Sequence, residues 1–301
     1  MTTATTPLPG RPGLARRLQT ALYPHRAAQI LLLLAPPVGW FGVIYLGSLA
    51  ILFVSAFWYL DPLTSAIRHT FTLANFQLLL GSPVYRTVAM RTIGVAGLVT
   101  LLDIALAFPI AFFMARVATG RLRAALFALV LLPLWTSYLV RVYAWRVILG
   151  KGGPLDWLFG VIGLPNVSLG YSDLSMVIVF TYLWLPYMIL PIFAGLERIP
   201  SSLLEASADL GARSGMTFRR VVLPLVVPSV AAGSIFTFSL TLGDYITPQL
   251  VSNSQFIGNV VYDSVNGSGN LPFGAAFAVV PVLVMGVYLM IARRLGAFEA
   301  L

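Results

Sequence analysis

The sequence contains no cysteine and only two histidines, His25 and His69. The lack of cysteine excludes disulfides, thiolate metal sites and a cysteine nucleophile. Two histidines give little support to imidazole catalysis or a metal centre, so no metal site is predicted. The phosphate-binding pattern Gly-x-x-x-x-Gly-Lys-Ser/Thr is also missing, because Gly150-Lys151 lacks both the upstream glycine and the following hydroxyl. The chain is therefore expected to be neither an enzyme nor an ATP-binding subunit, and to hold no cofactor.

Charge is equally scarce. Only 10% of the 301 residues are charged and 58% are hydrophobic, whereas about a quarter of a soluble protein is charged. The mean hydropathy of +0.89 leaves too few polar side chains to cover a soluble surface, which predicts an integral membrane protein in contact with lipid. The formal charge of +9 comes from arginines spread between apolar runs, so no nucleic-acid partner is expected.

Six apolar stretches are long enough, or nearly so, to cross ~30 Å of hydrocarbon as helices. They run from about Ile30 to Phe57, Thr92 to Ala115, Ala124 to Val140, Leu174 to Leu196, Val221 to Gly243 and Phe273 to Ala292. The third is short and continues through Arg141 to Trp145. Length and the lack of alternation favour helices over barrel strands. The predicted fold is an all-α polytopic membrane protein, with residues 1–29 as an N-terminal segment, 30–292 as one six-helix domain and 293–301 as a tail.

Arginine and lysine are distributed unequally between the two sides of this domain. If both termini share one side, that side holds most of the 19 basic residues, namely Arg11, Arg16, Arg17, Arg26, Arg116, Arg121, Arg123, Arg198, Arg213, Arg219, Arg220, Arg293 and Arg294. The other side and its helix margins hold Arg68, Arg86, Arg91, Arg141, Arg146 and Lys151. Basic residues favour the cytoplasm. Both termini and the loops 116–123 and 197–220 are therefore predicted to be cytoplasmic, and the loops 58–86, 146–172 and 245–272 to lie outside.

The loop 197–220 concentrates charge in an otherwise apolar chain. Ser201 or Ser202 is expected to cap a short helix that carries Glu205 and Asp209 on one face, four positions apart. Gly211 is expected to end that helix in a tight turn, before a second, basic helix that ends at Pro224. Two interpretations remain open, a docking surface for a soluble partner and a solvated connecting loop.

The same loop carries a recognisable motif. Glu205-Ala206-Ser207, three residues, Gly211, nine residues, Val221, one residue and Leu223-Pro224 closely resemble the EAA motif of ABC importer permeases. Ser207 replaces the second alanine of the motif, and Val221 replaces an isoleucine. The resemblance implies that the loop contains a coupling helix that docks on a cytoplasmic ATPase. It assigns partner-binding roles to Glu205, Ala206, Asp209, Gly211, Arg213, Leu223 and Pro224.

Four further segments resemble spermidine/putrescine permeases, and the resemblance extends from about Asn75 to Phe277. They are Pro133–Trp145, Gly243–Pro248, Ile257–Asn259 and Pro272–Ala276. The resemblance implies a type I (MetI-like) permease in the bacterial inner membrane, the first of a pair with a second homologous permease. Its implied partners are two copies of an ATPase subunit, which bind the ATP, and a periplasmic substrate-binding protein. The implied solute is a polyamine or a related amine.

Asp103 is the least expected residue of the second span. A charged carboxylate at mid-membrane costs about 2.5–3.5 kcal/mol on insertion scales. It is therefore expected to face a cavity, pair with a cation or become protonated, and a hydrogen bond to a neighbouring helix is the structural alternative. The family resemblance does not predict a carboxylate at this position. Asp103 is retained as a candidate substrate-pathway residue.

The other pathway candidates lie near the outer ends of the third and fifth spans. Tyr138, Arg141 and Trp145 share one helix face, and Asp244 and Tyr245 lie at a similar depth; Trp135 completes the set. Carboxylates and aromatic faces suit a cationic amine. The structural alternative is an interfacial aromatic belt in which Arg141 pairs with Asp244. Other functions left open are import of an opine or amino-acid-like solute, and a membrane sensor or scaffold that docks a cytoplasmic protein.

Overall fold

A computed structural model describes residues 26–163 and 169–300. The chain divides into two units, Met1–Val54 and Ser55–Leu301. Most of the predicted N-terminal segment 1–29 and the last residue of the predicted tail lie outside the described residues.

The first unit is described from Arg26 onward, and this described part is one long helical segment. It comprises α1 (Arg26–Trp40), a π-helical segment (Phe41–Leu46) and α2 (Gly47–Ser55), which ends at the first residue of the second unit. Most of its large apolar side chains are exposed, as Leu33 (76%) and Trp40 (73%) illustrate. A helix that is hydrophobic on all sides is suited to lipid, in agreement with the predicted first span.

The second unit contains a two-stranded hairpin, β1 (Tyr59–Leu60) with β2 (Ile67–Arg68), and thirteen α-helices among the described residues. The helices are α3 (Ala74–Gly81), α4 (Pro83–Arg116), α5 (Gly120–Leu131), α6 (Tyr138–Leu149), α7 (Pro154–Val161), α8 (Asp173–Glu197), α9 (Ser201–Asp209), α10 (Ser214–Thr217), α11 (Leu223–Gly243), α12 (Ile246–Val251), α13 (Ile257–Tyr262), α14 (Leu271–Arg294) and α15 (Ala297–Ala300). A 3₁₀ segment, Leu132–Trp135, follows α5, and π-helical segments, Phe218–Val222 and Asp263–Gly267, precede α11 and follow α13.

Five helices of the described residues are long and apolar enough to span a membrane. They are Leu33–Ser55, Pro83–Arg116, Asp173–Glu197, Ser214–Gly243 and Leu271–Arg294. They confirm five of the predicted spans, with the second beginning at Pro83 instead of Thr92. The predicted boundary was wrong because it stopped at Arg91, whereas a helix of 34 residues is about 51 Å long and extends well beyond ~30 Å of hydrocarbon.

The third predicted span is not one straight helix. Gly120–Trp135 and Tyr138–Val161 are together long and apolar enough to cross a membrane, but they meet at an angle of 95°. The 3₁₀ turn contains Pro133, whose carbonyl accepts hydrogen bonds from the amide (3.3 Å) and the hydroxyl (2.8 Å) of Thr136. The chain is thereby turned, and Tyr138 starts a new helix. A proline inside a helix usually causes a kink, but this break is much sharper than a kink.

Helices α4, α8 and α11 pack against one another and form the centre of the second unit. Small residues allow the close approach, as expected of helix contacts in membranes. At Gly233 of α11, a Cβ atom would lie 2.9 Å from the Sδ atom of Met188 in α8. This core fixes the relative positions of the loops at its two ends.

The hairpin between the first span and α3 is a small addition to the predicted all-α fold. Tyr59 pairs with Arg68 and Leu60 with Ile67 in antiparallel register. The Asp61 carboxylate accepts the amides of Leu63 (3.0 Å) and Thr64 (3.4 Å) and pairs with Arg68 at 2.7 Å. The Leu63 amide, followed by Arg68, lowers the pKa of Asp61, so the turn carries an ionised carboxylate at neutral pH.

Candidate functional site

The loop 197–220, called the coupling loop below, folds as a short helix, a tight turn and the start of a long helix. The short helix is α9, and Glu205 and Asp209 are both exposed on it, as the predicted four-residue spacing requires. On the opposite side, Leu204 packs against the buried cluster that contains Met114, Leu196 and Val222. One face of α9 is therefore anchored to the core, and its acidic face is presented outward.

Gly211 ends α9, as predicted, and its geometry explains why glycine is present. Its φ angle is +77°, a left-handed conformation that side chains with a Cβ atom disfavour. The Gly211 amide donates to the carbonyl of Ala208 (2.8 Å), and the Ala212 amide donates to that of Ser207 (3.1 Å). This pair of bonds is a Schellman motif, which satisfies helix-end carbonyls and reverses the chain direction.

Ser207, the departure from the second alanine of the EAA motif, has a structural role. It is buried, and its hydroxyl lies 2.8 Å from the hydroxyl of Thr217. The bond joins α9 to α10 across the turn. A hydroxyl in place of a methyl group therefore adds a polar tie inside the coupling loop, which the sequence pattern alone did not indicate.

Two local predictions for this loop were wrong. Neither Ser201 nor Ser202 caps α9, because the helix begins at Ser201 and Pro200 occupies the N-cap position. The second helix does not end at Pro224 either. It continues through the π-helical segment into α11, so that Ser214–Gly243 forms one span, because a local π-helical adjustment lets a membrane helix continue past a proline.

The remaining motif residues lie on the exposed surface. Ala206 and Arg213 are exposed, and Leu223 and Pro224 are exposed in the first turn of α11. Large apolar side chains of the same loop are also accessible, among them Leu210 (89%) and Met216 (46%). The surface thus combines carboxylates, an arginine and apolar groups, a composition suited to docking a protein.

At the opposite end of the core, Asp244 organises a cluster of Tyr138, Trp184, Asp244 and Thr247, called the Asp244 cluster. The Asp244 Oδ1 atom accepts the amides of Ile246 (2.8 Å) and Thr247 (3.2 Å) at the start of α12. The Oδ2 atom accepts the hydroxyls of Tyr138 and Thr247. Trp184 of α8 stacks on Tyr138 at 6.0 Å between ring centroids. The structure thus joins Tyr138 to Asp244, as expected from their depth, and adds Trp184 and Thr247, which the sequence did not single out.

Arg141 does not pair with Asp244 in the part of the chain that the structure describes, so the pair considered as the structural alternative is not formed. The four donors around Asp244 already occupy its oxygen atoms. Arg141 is only 9% exposed, and its Nε and Nη1 atoms lack a hydrogen-bond partner among the described residues. Trp145, on the same helix face, packs against Tyr182 at 5.2 Å.

Tyr245 connects the Asp244 cluster to α13. Its carbonyl accepts a hydrogen bond from the Asn259 side chain (2.7 Å), and its ring stacks on Tyr262 at 4.8 Å. Gly258 makes this contact possible, because a Cβ atom there would lie 3.0 Å from the carbonyl oxygen of Asp244. The Gly243–Pro248 and Ile257–Asn259 segments of the sequence therefore meet in space.

Asp103 and Trp135 lie apart from this cluster. Asp103 has no exposed surface, and neither carboxylate oxygen has a hydrogen-bond partner among the described residues. In this conformation it neither lines an open cavity nor makes the interhelical hydrogen bond considered above. Trp135 is 85% exposed at the 95° bend. The pathway roles of both residues stay predictions.

Comparison with known proteins relates most of the chain to transport permeases. The profile of the family described as "Binding-protein-dependent transport system inner membrane component" matches residues 107–297. The inner membrane ABC transporter permease protein YdcU of Escherichia coli (strain K12) is 45% identical, over 97% of both chains. The spermidine/putrescine transport system permease protein PotB of Salmonella typhimurium (strain SL1344) is 32% identical, over 76% of this chain and 81% of that protein.

Solved structures share the fold. A chain of a bacterial ABC transporter involved in the import of the acidic polysaccharide alginate superposes with a TM-score of 0.75 at 19% identity, covering 93% of this chain and 98% of that one. A chain of the MetNI methionine ABC transporter gives a TM-score of 0.56 at 15% identity, covering 72% and 96%. At these identities the likeness concerns the fold alone.

Proposed function

Because the chain belongs to the family of inner-membrane components of binding-protein-dependent transport systems, we propose that it imports a small amine as one permease of a bacterial ABC transporter. ABC importer permeases of this family are multi-pass inner-membrane subunits without an enzymatic activity of their own. In the proposed complex the chain pairs with a second, homologous permease, and two ATPase subunits bind and hydrolyse the ATP. A periplasmic binding protein delivers the solute.

The observation that carries the proposal is the structure of the coupling loop. Its helix α9 is anchored on one face, displays Glu205 and Asp209 on the other, and ends in the rigid turn at Gly211. A partner that binds this face can move the ends of α8 and α11, which enter and leave the loop. Closure and opening of the ATPases would thereby alternate access to a path between the two permeases. This arrangement requires the coupling loop and both termini to be cytoplasmic, as the distribution of arginines predicts.

A polyamine such as spermidine or putrescine is the proposed solute. One support is the 32% identity to permeases named for spermidine/putrescine transport. Another is the Asp244 cluster, in which the carboxylate accepts the hydroxyl of Tyr138, and Trp184 stacks on the Tyr138 ring. Ammonium groups are attracted both by carboxylates and by aromatic faces. The candidate contact residues are Asp103, Trp135, Tyr138, Arg141, Trp145, Asp244 and Tyr245.

Arg141 favours a second candidate solute. A guanidinium that is 9% exposed and has two nitrogen atoms without partners repels an ammonium group and attracts a carboxylate. An amino-acid-like solute, which carries both charges, would suit Arg141 together with a pathway carboxylate whose oxygens are not occupied, such as Asp103. Comparing the two solute classes is therefore part of the test.

The test uses the complete complex, co-purified with its ATPase and binding protein and reconstituted in proteoliposomes. We expect ATP-dependent uptake of labelled putrescine to exceed uptake of labelled 4-aminobutyrate. Glu205→Lys should abolish uptake and weaken retention of the ATPase, because a reversed charge opposes the partner surface. Asp263→Lys is the matched control, because it reverses the charge of an exposed carboxylate in a loop predicted to lie outside the cytoplasm. This variant should retain the ATPase.

Each outcome separates one part of the proposal from the rest. Uptake of 4-aminobutyrate without putrescine would replace the polyamine by the amino-acid-like class. Wild-type retention of the ATPase and wild-type uptake by Glu205→Lys would refute docking through α9. Equal loss in both charge reversals would show that the effect is not specific to the coupling loop.

A further inference from the structure

The junction between α8 and the coupling loop is held by an arginine from another span. The carbonyls at a helix end lack partners within the helix. At the end of α8, the Nη2 atom of Arg116 donates to the carbonyl of Ile199 (2.9 Å) and also to that of Leu196. Arg116 is the last residue of α4, so one guanidinium ties two spans together where the coupling loop begins.

A second arginine reinforces this junction from the same side. Arg123, in the first turn of α5, pairs with Glu197 and lies over the ring of Phe193, with its Cζ atom 5.2 Å from the ring centroid. The two contacts surround the last turn of α8. The loop 116–123, which the motifs did not single out, thus contacts the residues at which the coupling loop begins.

The contacts of Arg116 differ from those of an ordinary cytoplasmic arginine. Its side chain is half-buried, and its Nε atom is enclosed. It also lines a cavity of about 440 Å³ beside Leu204 and Thr217, between α9 and the helix that follows. Arg121, two residues before the Arg123 ion pair, is exposed. The preference of arginine for the cytoplasmic side explains the presence of Arg116 and Arg121 equally well. Of these two residues, only Arg116 contacts the backbone where the coupling loop begins.

Helix α4 connects this junction to the other end of the core. Its 34 residues run without a break from Pro83 to Arg116 and pack along α8 and α11. Near its beginning, the hydroxyl of Thr92 accepts a hydrogen bond from the Ile257 amide (3.1 Å), at the start of α13. A displacement of the coupling loop that pulls on Arg116 is therefore applied to a helix that also contacts the region around Tyr245 and Gly258.

We propose that Arg116 is a positioning residue that couples the movement of α9 to α4. The proposal rests on the proposed docking of the ATPase on the coupling loop. Arg116 touches neither ATP nor solute. By holding the carbonyls of Leu196 and Ile199, it makes the junction stiff, so that force from the ATPase moves the spans instead of bending the loop. Removal of the guanidinium should leave the docking surface in place but should weaken the transmission of movement from α9 to α4.

The experiment compares three variants of the complete reconstituted complex at matched membrane abundance. Arg116→Met keeps an unbranched apolar stem but cannot donate, Arg116→Lys keeps donors and charge, and Arg121→Met removes the same charge from the same loop. The readouts are ATPase retained, solute imported per ATP hydrolysed, and amide hydrogen exchange across residues 197–203. The second and third readouts report coupling and local order, which a loss of insertion alone would not change.

We expect Arg116→Met to retain the ATPase but to import roughly tenfold less solute per ATP, the size expected for loss of a charge-assisted hydrogen bond. Exchange across 197–203 should accelerate. Arg116→Lys should keep most of the coupling, and Arg121→Met should match the wild type. If Arg116→Met does not accumulate, Arg116→Leu, which also cannot donate, replaces it under the same criteria.

Wild-type solute import per ATP in Arg116→Met, or an equal loss in Arg121→Met, would overturn the positioning role. Unchanged hydrogen exchange across 197–203 would overturn it as well. These results are distinguishable from failure of the proposed function. If Glu205→Lys also leaves uptake and ATPase retention unchanged, docking itself is wrong, whereas a normal Arg116→Met beside a defective Glu205→Lys refutes only the positioning role.

Discussion

The turn at Gly211 allows a quantitative test of how the coupling loop is held. No atom lies within 4 Å of a Cβ atom built at Gly211, so a side chain there meets open space and only the φ angle of +77° opposes it. An L-residue in the left-handed region costs about 1–2 kcal/mol, and a β-branched one more. Asparagine tolerates this region better than alanine. The fraction of loops with the native turn should therefore fall in the order Gly, Asn, Ala, Val.

The expected sizes follow from these energies. About 1 kcal/mol for Gly211→Ala corresponds to roughly a fivefold shift against the native turn, and about 2 kcal/mol for Gly211→Val to roughly thirtyfold. The assay is the amount of ATPase that co-purifies per permease, together with uptake, at equal membrane abundance. Gly215→Ala is the matched control, because Gly215 lies in helical α10 of the same loop with open space around it, and it should retain the ATPase.

Two results would refute this reasoning. If Gly211→Val retained the ATPase as well as the wild type, the left-handed turn would not be needed for docking. If Gly211→Asn were as defective as Gly211→Val, the loss would follow side-chain size and not backbone torsion. Either result would leave the family assignment intact, because that assignment rests on the match over residues 107–297.

Three further predictions concern single side chains. Ser207→Ala and Thr217→Val should each destabilise the coupling loop by about 1 kcal/mol. In a double-mutant cycle measured by thermal unfolding, the double variant should lose no more stability than one single variant, whereas additive losses would contradict the hydrogen bond between the two hydroxyls. Asp103→Asn should lower cation uptake at constant abundance if Asp103 contacts the solute, and Asp103→Leu should lower it further; normal uptake by Asp103→Asn would discard that role. In spheroplasts of this cysteine-free chain, an impermeant thiol reagent should label Ser268→Cys but not Ser201→Cys, and the reverse pattern would overturn the orientation.

The predictable parts of this fold are those that depend on local composition. The apolar runs identify the spans because a helix must bury about 20 residues in hydrocarbon, and Gly211 marks the end of α9 because few residues tolerate a positive φ angle. Ser201 was expected to cap α9 for equally local reasons, yet Pro200 takes that position. Several residues can begin a helix, whereas far fewer can end one in a left-handed turn, so the C-terminal signal is the more specific.

The parts that could not be predicted depend on which distant residues meet. Arg141 and Asp244 have opposite charges at a similar depth, which made a pair the natural expectation. The Asp244 oxygens instead bind the hydroxyl of Tyr138 and the groups of α12, because the 95° bend after Trp135 redirects α6. That bend results from a short 3₁₀ turn whose angle no hydropathy pattern specifies. The contact of Arg116 with Leu196 likewise joins residues 80 positions apart.

These contacts also indicate where solute specificity is to be sought. The oxygens of Asp244 are occupied, and Gly258 and Asn259 are pressed against Tyr245, so a substitution at any of them disturbs the fold before it can report on a solute. A residue can discriminate between solutes only if its polar atoms are not already needed by the protein. Among the described candidates, the carboxylate of Asp103, two guanidinium nitrogens of Arg141 and the indole nitrogen of Trp184 meet that condition. Asp103 and Arg141 carry opposite charges, so exchanging putrescine for 4-aminobutyrate in variants of each distinguishes an ammonium contact from a carboxylate contact, and a residue whose variants affect both solutes equally contacts neither group.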